Sequence, residues 1–277
     1  MSHSLTGKEE HIRNAALAYI NSHKDTLIQQ FILDYKVIPI PTFSIFMAGV
    51  PGAGKTEFAE EYIKRINASF KQFVADKKVA NALSRHGIDI SIYKNLLVHL
   101  DIDRIREFIP QYQKTNTTCG VKGNAHIIQS AAGAGLEILR RYCINNDISF
   151  LLDGTFGNQF STFDRLIRKM RRQGRKITIF YVYSHPTVAW QFTKKREIVE
   201  GRNITKENFI KQYFKSIDNI RRAKEKFGDN IELNCILKDR DNRIKKILFN
   251  ESSLDNILKL GENGRVITEG YLEDILE

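Results

Sequence analysis

The chain has 277 residues, a formal net charge of +11, 42% hydrophobic residues, 17 Gly and 5 Pro. Those values exclude low-complexity and collagen-like architectures, and no apolar run near 20 residues exists to span a bilayer. Cys119, Cys143 and Cys235 are odd in number and lack C-x-x-C spacing, which argues against a disulfide framework or a zinc site.

The N-terminus, MSHSLTGKEEH, is polar and lacks the apolar core of a signal peptide, so a soluble chain in a reducing cytoplasm is expected. The positive charge suits an anionic partner, whether nucleic acid, membrane surface or polyphosphate, and does not choose among them. Basic residues concentrate in Arg165 to Lys176, Lys194 to Arg202 and Arg221 to Lys226, and the first and third read as solvated helix faces.

In chain order, residues 11 to 35 carry apolar positions at helical spacing, including Ile12, Ala16, Tyr19, Leu27, Phe31 and Tyr35. They predict one or two helices that pack ahead of the first strand or dock a partner, and packing is the expectation. Pro39 and Pro41 end any helix. An apolar strand-like run from Phe43 then enters Gly49-Val50-Pro51-Gly52-Ala53-Gly54-Lys55-Thr56, which fits G-x-x-x-x-G-K-[ST], and a helical segment follows. The glycines let the backbone turn its N–H groups inward, and with the helix N-terminus they make a site for an anion. Pro51 and Ala53 belong to the same loop. Lys55 would reach the β- and γ-phosphates of a nucleotide, and Thr56 would hold Mg²⁺.

Residues 56 to 73 read as helix, and 74 to 94 as a second helix with a connection. Leu96 to Leu100 is a continuous apolar strand that ends in Asp101-Ile102-Asp103. Lying two apart, Asp101 and Asp103 point the same way if strand geometry continues, and one could position Mg²⁺ or take a proton from a hydroxyl. Polar strand end and helix cap are the plain alternatives. Arg106 could bind substrate or pair with either carboxylate. His99, inside the strand, reads as a core residue, and so does His185.

Gln111 to Asn124 predicts a loop, and 125 to 144 a helix. The strand Asp147 to Leu152 ends at Asp153-Gly154-Thr155, a second candidate for metal or substrate contact. Helix 163 to 172, strand 177 to 183, helix 186 to 200, helix 208 to 226 and strand 231 to 237 follow. Arg196 and Arg202 flank a Glu200-Gly201 break and could close over a transferring phosphoryl group. Alternating strands and helices predict an α/β fold of the P-loop kinase type, a parallel sheet with helices on both faces. Ligands gather there at the C-terminal strand ends, where Gly49, Asp101, Asp103 and Asp153 fall. The expected organisation is a helical appendage over 1 to 38, a kinase core over 39 to 238 with a lid around 190 to 206, and a hairpin and helical extension over 239 to 277.

The segments GVPGAGKTEFAE, HLDIDRIREFIPQY, SFLLDGTF and KKREIVEGRNIT, in this order, resemble the zeta toxin family of P-loop kinases over roughly Phe43 to Phe227. The second motif is the specific one, with Asp101, Asp103, Ile105, Arg106, Pro110 and Tyr112 at the family's Asp-x-Asp, apolar, basic and Pro-x-aromatic positions. The resemblance implies ATP-dependent transfer of the γ-phosphate to the 3′-hydroxyl of UDP-N-acetylglucosamine. It makes Asp103 the general base, Lys55 and Thr56 the ATP and Mg²⁺ ligands, and Arg196 and Arg202 the lid arginines. Asp101, Arg106, Asp153 and Thr155 become the substrate contacts. Asp153 stands where the family has Glu, one methylene longer, and this puts the sugar in question. Some members phosphorylate NAD instead, and such toxins commonly pair with a small helical antitoxin that blocks the ATP site. A dinucleotide or nucleic-acid kinase, or a nucleotide-binding regulator without transfer, are the alternative readings.

Overall fold

The computed structural model describes residues 5–39, 42–85, 87, 89–114, 117–118, 121–200, 204–261 and 266–276. Its elements run α1 (Gly7–Ser22), α2 (Lys24–Phe31), β1 (Phe43–Ala48), α3 (Lys55–Ala75), α4 (Lys77–Arg85), β2 (Val98–Leu100) and α5 (Ile102–Phe108). Then come β3 (Thr117–Thr118), β4 (Val121–Lys122), α6 (Ala125–Asn145), β5 (Phe150–Leu152), α7 (Phe160–Arg172), β6 (Lys176–Tyr183), α8 (Pro186–Glu200) and α9 (Lys206–Phe227). The chain closes with β7 (Glu232–Lys238), β8 (Ile244–Leu248), α10 (Asp255–Gly261) and α11 (Glu269–Ile275). The fold is mixed α/β, as expected, and its main sheet takes six strands and is mostly parallel. Among the described residues no helix is long and apolar enough to cross a membrane.

Two compact units divide the chain. The first holds the described residues up to Thr42 and Glu60–Leu151. Its spine is α6, along which α1, α2 and α5 pack. The close approach depends on Gly135, because a Cβ there would lie 2.8 Å from Ile105 and 3.3 Å from Ile20, tighter than packed side chains tolerate. Helix α1 starts with a capping box, in which the Thr6 side chain accepts from the Glu9 amide and Glu9 bonds back to the Thr6 amide. Beyond the second helix, Ile38 joins Phe70 and Ile90 in a small apolar cluster.

The second unit holds Phe43–Ala59, Leu152–Val199 and the described residues within Asn203–Glu277. Its strands lie in the order β1-β6-β7-β8. The pairs β1/β6 and β6/β7 are parallel, while β8 returns antiparallel along β7. The inner strands are mostly apolar and are buried over almost their whole length, as parallel strands covered on both faces must be. Buried Arg175 ties the start of this sheet together, donating from Nε to the Ser44 hydroxyl (2.8 Å) and from its guanidinium to the Phe43 carbonyl (3.0 Å).

The segment read as a loop over 111 to 124 contains a two-residue antiparallel pair, β3 with β4. Asn124 closes its base, accepting from the Gln113 amide and donating to the Gln111 carbonyl.

Candidate functional site

In the second unit, β1 ends at Ala48 and the chain turns through Gly49, Gly52 and Gly54, with φ of 132°, 78° and 75°. Those angles belong to glycine. The space demands glycine as well. A Cβ at Gly49 would collide with the Val182 carbonyl, one at Gly52 with the Ala189 carbonyl, and one at Gly54 with the Lys238 ammonium. Strands β6 and β7 and helix α8 therefore hold the loop from outside. Ala53 is buried, and its amide donates to the Val50 carbonyl (3.2 Å). Pro51 is half-buried at the first turn.

Helix α3 begins at Lys55, directly after the last of these glycines, so the positive end of its dipole faces the loop. Lys55 is itself buried and donates from Nζ to the Val50 carbonyl at 2.8 Å, which lays its ammonium back across the loop. One residue on, the Thr56 hydroxyl donates to a carboxylate oxygen of Asp153 at 2.6 Å. Asp153 is buried at the end of β5, and the next residue but one, Thr155, accepts from the Gly49 amide through its carbonyl (3.3 Å). The structure thus brings together Gly49 to Thr56, Asp153 and Thr155.

The Asp153 loop has supports that sequence reasoning missed. On α9, Gln212 accepts from the Thr155 hydroxyl (2.7 Å), and Asn219 donates to the carbonyls of Phe156 (2.8 Å) and Asn158 (2.7 Å). Asn219 is buried between apolar neighbours Ile217 and Ile220, and an amide at such a position was the available signal. Phe156, whose φ is +58°, is held in that strained geometry by this bond and by stacking on Phe163 at 3.8 Å.

Lys238, at the end of β7, was also missed. It donates to the Gly54 carbonyl at 3.0 Å, and burial pushes its pKa below the usual lysine range while the Glu57 carboxylate works against that shift. The rule that ligands gather at C-terminal strand ends points to this position as it did to Gly49 and Asp153.

In the first unit the carboxylate pair is arranged otherwise than strand geometry implies. Helix α5 starts at Ile102, so Asp101 is its N-cap and accepts from the Asp103 amide (2.9 Å), while Asp103 sits in the first turn. The capping preference of Asp overrides the continuation of the strand. Asp103 is ion-paired with Arg106, whose guanidinium also meets Gln129 of α6. Arg106 and Asp101 are buried, whereas a quarter of the Asp103 side chain reaches solvent. On the same helix Arg104 bonds the Tyr35 hydroxyl (2.6 Å) and lies over the rings of Phe31 and Tyr35, so residues from the N-terminal segment hold α5 in place. His99 is buried in β2, as expected.

Arg196 lies half-buried on α8, and Arg202 falls outside the described residues. His185 sits between β6 and α8, its Nδ1 bonded to the Thr187 hydroxyl (2.7 Å) and accepting from the Thr187 amide (3.4 Å). Burial first, and the Arg240 charge second, lower its pKa. Below pH about 6.5 the unfolded chain therefore takes a proton that folded His185 resists, and stability drains as pH falls through the folded value. Thermal melts of wild type and His185→Gln at pH 7.5 and 5 should show wild type losing more on acidification; equal losses would contradict this.

A model of the zeta toxin family matches residues 79–252, well over half the chain. The chain belongs to the zeta toxin family. The match takes in Asp101, Asp103, Asp153 and Arg196, whereas the glycine loop from Gly49 to Thr56 precedes it. Among solved structures, this zeta toxin family chain is similar to one from the PezAT chromosomal toxin–antitoxin system of the human pathogen Streptococcus pneumoniae. There the TM-score is 0.54 at 14% identity, covering 98% of this chain and 94% of that one. It is similar also to the AvrRxo1-ORF1:-ORF2 complex with ATP, with a TM-score of 0.52 at 12% identity, covering 93% and 74%. At such identities these likenesses speak for the fold. No curated protein matches the chain.

Proposed function

We propose that this zeta toxin family member is an ATP-dependent phosphotransferase that moves the γ-phosphate of ATP to a hydroxyl of a small molecule. UDP-N-acetylglucosamine is the first acceptor to test. The observation that carries the reading is the loop from Gly49 to Thr56, in which three glycines at positive φ have no room for a Cβ and a lysine opens the following helix. Such a loop can turn amide N–H groups toward a polyphosphate. The ATP complex of the AvrRxo1 neighbour agrees with it.

Lys55 would neutralise the β- and γ-phosphates. Among the described residues no three His, Cys, Asp or Glu side chains gather as a metal site. Magnesium suits what is present, because it takes one or two hard oxygens from protein and the rest from phosphates and water. The Thr56 hydroxyl, in contact with the Asp153 carboxylate, supplies oxygens of that kind. An ion held there would supply positive charge to offset that of the phosphates. Asp103 would take the acceptor hydroxyl's proton as that oxygen bonds to the γ-phosphorus and the bond to the β-phosphate oxygen breaks, releasing ADP. Asp101, Arg106, Asp153 and Thr155 would contact the acceptor, and Arg196 and Arg202 would close over the transferring group. A small helical antitoxin is the proposed protein partner, in keeping with the toxin–antitoxin neighbour.

The test is to incubate the chain with γ-labelled ATP and a panel of UDP-sugars, NAD and RNA. Label on a UDP-sugar supports the reading, label on NAD or RNA replaces the acceptor, and ATP binding with no transfer to any of them would favour a regulator.

A further inference from the structure

We infer that Lys238 is a positioning residue for nucleotide binding, fixing from outside the peptide that joins Gly54 to Lys55. The inference rests on the reading of this loop as a nucleotide site. The Gly54 carbonyl and the Lys55 amide N–H belong to one planar trans peptide and point in opposite directions. Lys238 donates to that carbonyl at 3.0 Å, closer than the Phe58 amide of α3, which donates to it at 3.4 Å, so the lysine helps to fix the plane and to turn the Lys55 N–H away from itself. That N–H lies at the first residue of α3, at the positive end of the helix dipole, which makes it one of the donors a bound phosphate would use.

Three further facts bear on the assignment. Lys238 is 7% exposed, and a buried ammonium is costly unless it holds a strong acceptor. Its ammonium fills the space where a side chain at Gly54 would go, so loop and lysine are fitted to each other. Asn242, in the turn between β7 and β8, lies against the same glycine, and its amide donates to the Asp239 carbonyl (3.1 Å). The turn is thereby closed directly behind the loop. A bond from a charged donor is worth enough to set the loop's geometry where glycines leave it soft.

The test compares MgATP and adenosine binding by calorimetry in wild type, Lys238→Met and Lys238→Arg, with Lys55→Met as reference and thermal melts to confirm folding. Lys238→Met should bind MgATP about ten- to a hundredfold more weakly, the worth of one charged hydrogen bond. Adenosine, which has no phosphate to read the amides, should bind as before, and Lys238→Arg should recover most of the loss. Should Lys238→Met not fold, Lys238→Gln, which leaves a polar group at the site, takes its place with the same expectation. Unchanged MgATP affinity in the folded variant overturns the role of Lys238 alone, and so does an equal loss for adenosine. Failure of wild type to bind MgATP overturns the nucleotide reading and this role with it.

Discussion

Replacing Asp103 with asparagine should lower phosphate transfer by about two to four orders of magnitude, the usual worth of a general base, while MgATP affinity stays within a few fold. The substitution is conservative in structure. Asp101 caps α5 through the backbone N–H of residue 103, which the exchange leaves untouched, and the amide can still accept from Arg106. What the amide cannot do is take up a proton. The measurement is label moved from ATP to the acceptor that the panel identifies, beside a calorimetric titration of MgATP. Undiminished transfer would remove Asp103 from the chemistry. A parallel collapse of ATP affinity would reassign it to nucleotide binding.

The second large effect is expected at Gly52. Alanine there would take up φ near +78°, a conformation costing roughly 1–2 kcal/mol for a residue with a Cβ, and the new methyl group would meet the Ala189 carbonyl and the Thr193 hydroxyl. These obstacles do not yield. The carbonyl is part of α8, and the hydroxyl is engaged with that same carbonyl at 2.9 Å. The loop itself must move, and its amides with it. Strain and displaced donors together should weaken MgATP binding by at least about a hundredfold, with the melting temperature falling by a few degrees. Wild-type affinity in Gly52→Ala would show that the loop's shape does not serve a phosphate.

Much of this was legible in the sequence because its signals are local. The glycine spacing before Lys55 and Thr56 specifies a loop, and the apolar runs ending at Asp101 and Asp153 mark strands. Where two local rules compete, the reading slipped. Strand periodicity put Asp101 and Asp103 on one face, but the helix begins between them and Asp101 caps it. The partners that stiffen the site were hidden by distance along the chain. Lys238 and Gly54 are separated by 184 positions, and Gln212 and Thr155 by 57. Asn219, an amide among apolar neighbours, left a local signal, but the carbonyls it holds lie 63 and 61 positions away.

The missing side chain at Gly135 reaches into the proposed chemistry. Because only a hydrogen stands there, Ile20, Leu27 and Ile105 all close on α6, and the turn that bears Asp103 takes its seat from them. A fragment trimmed to begin at Phe43 would retain the entire glycine loop yet leave the helix that carries Asp103 without its footing. The described residues before Phe43 thus serve as masonry beneath the proposed catalytic carboxylate, and their loss should register in turnover before it registers in nucleotide affinity.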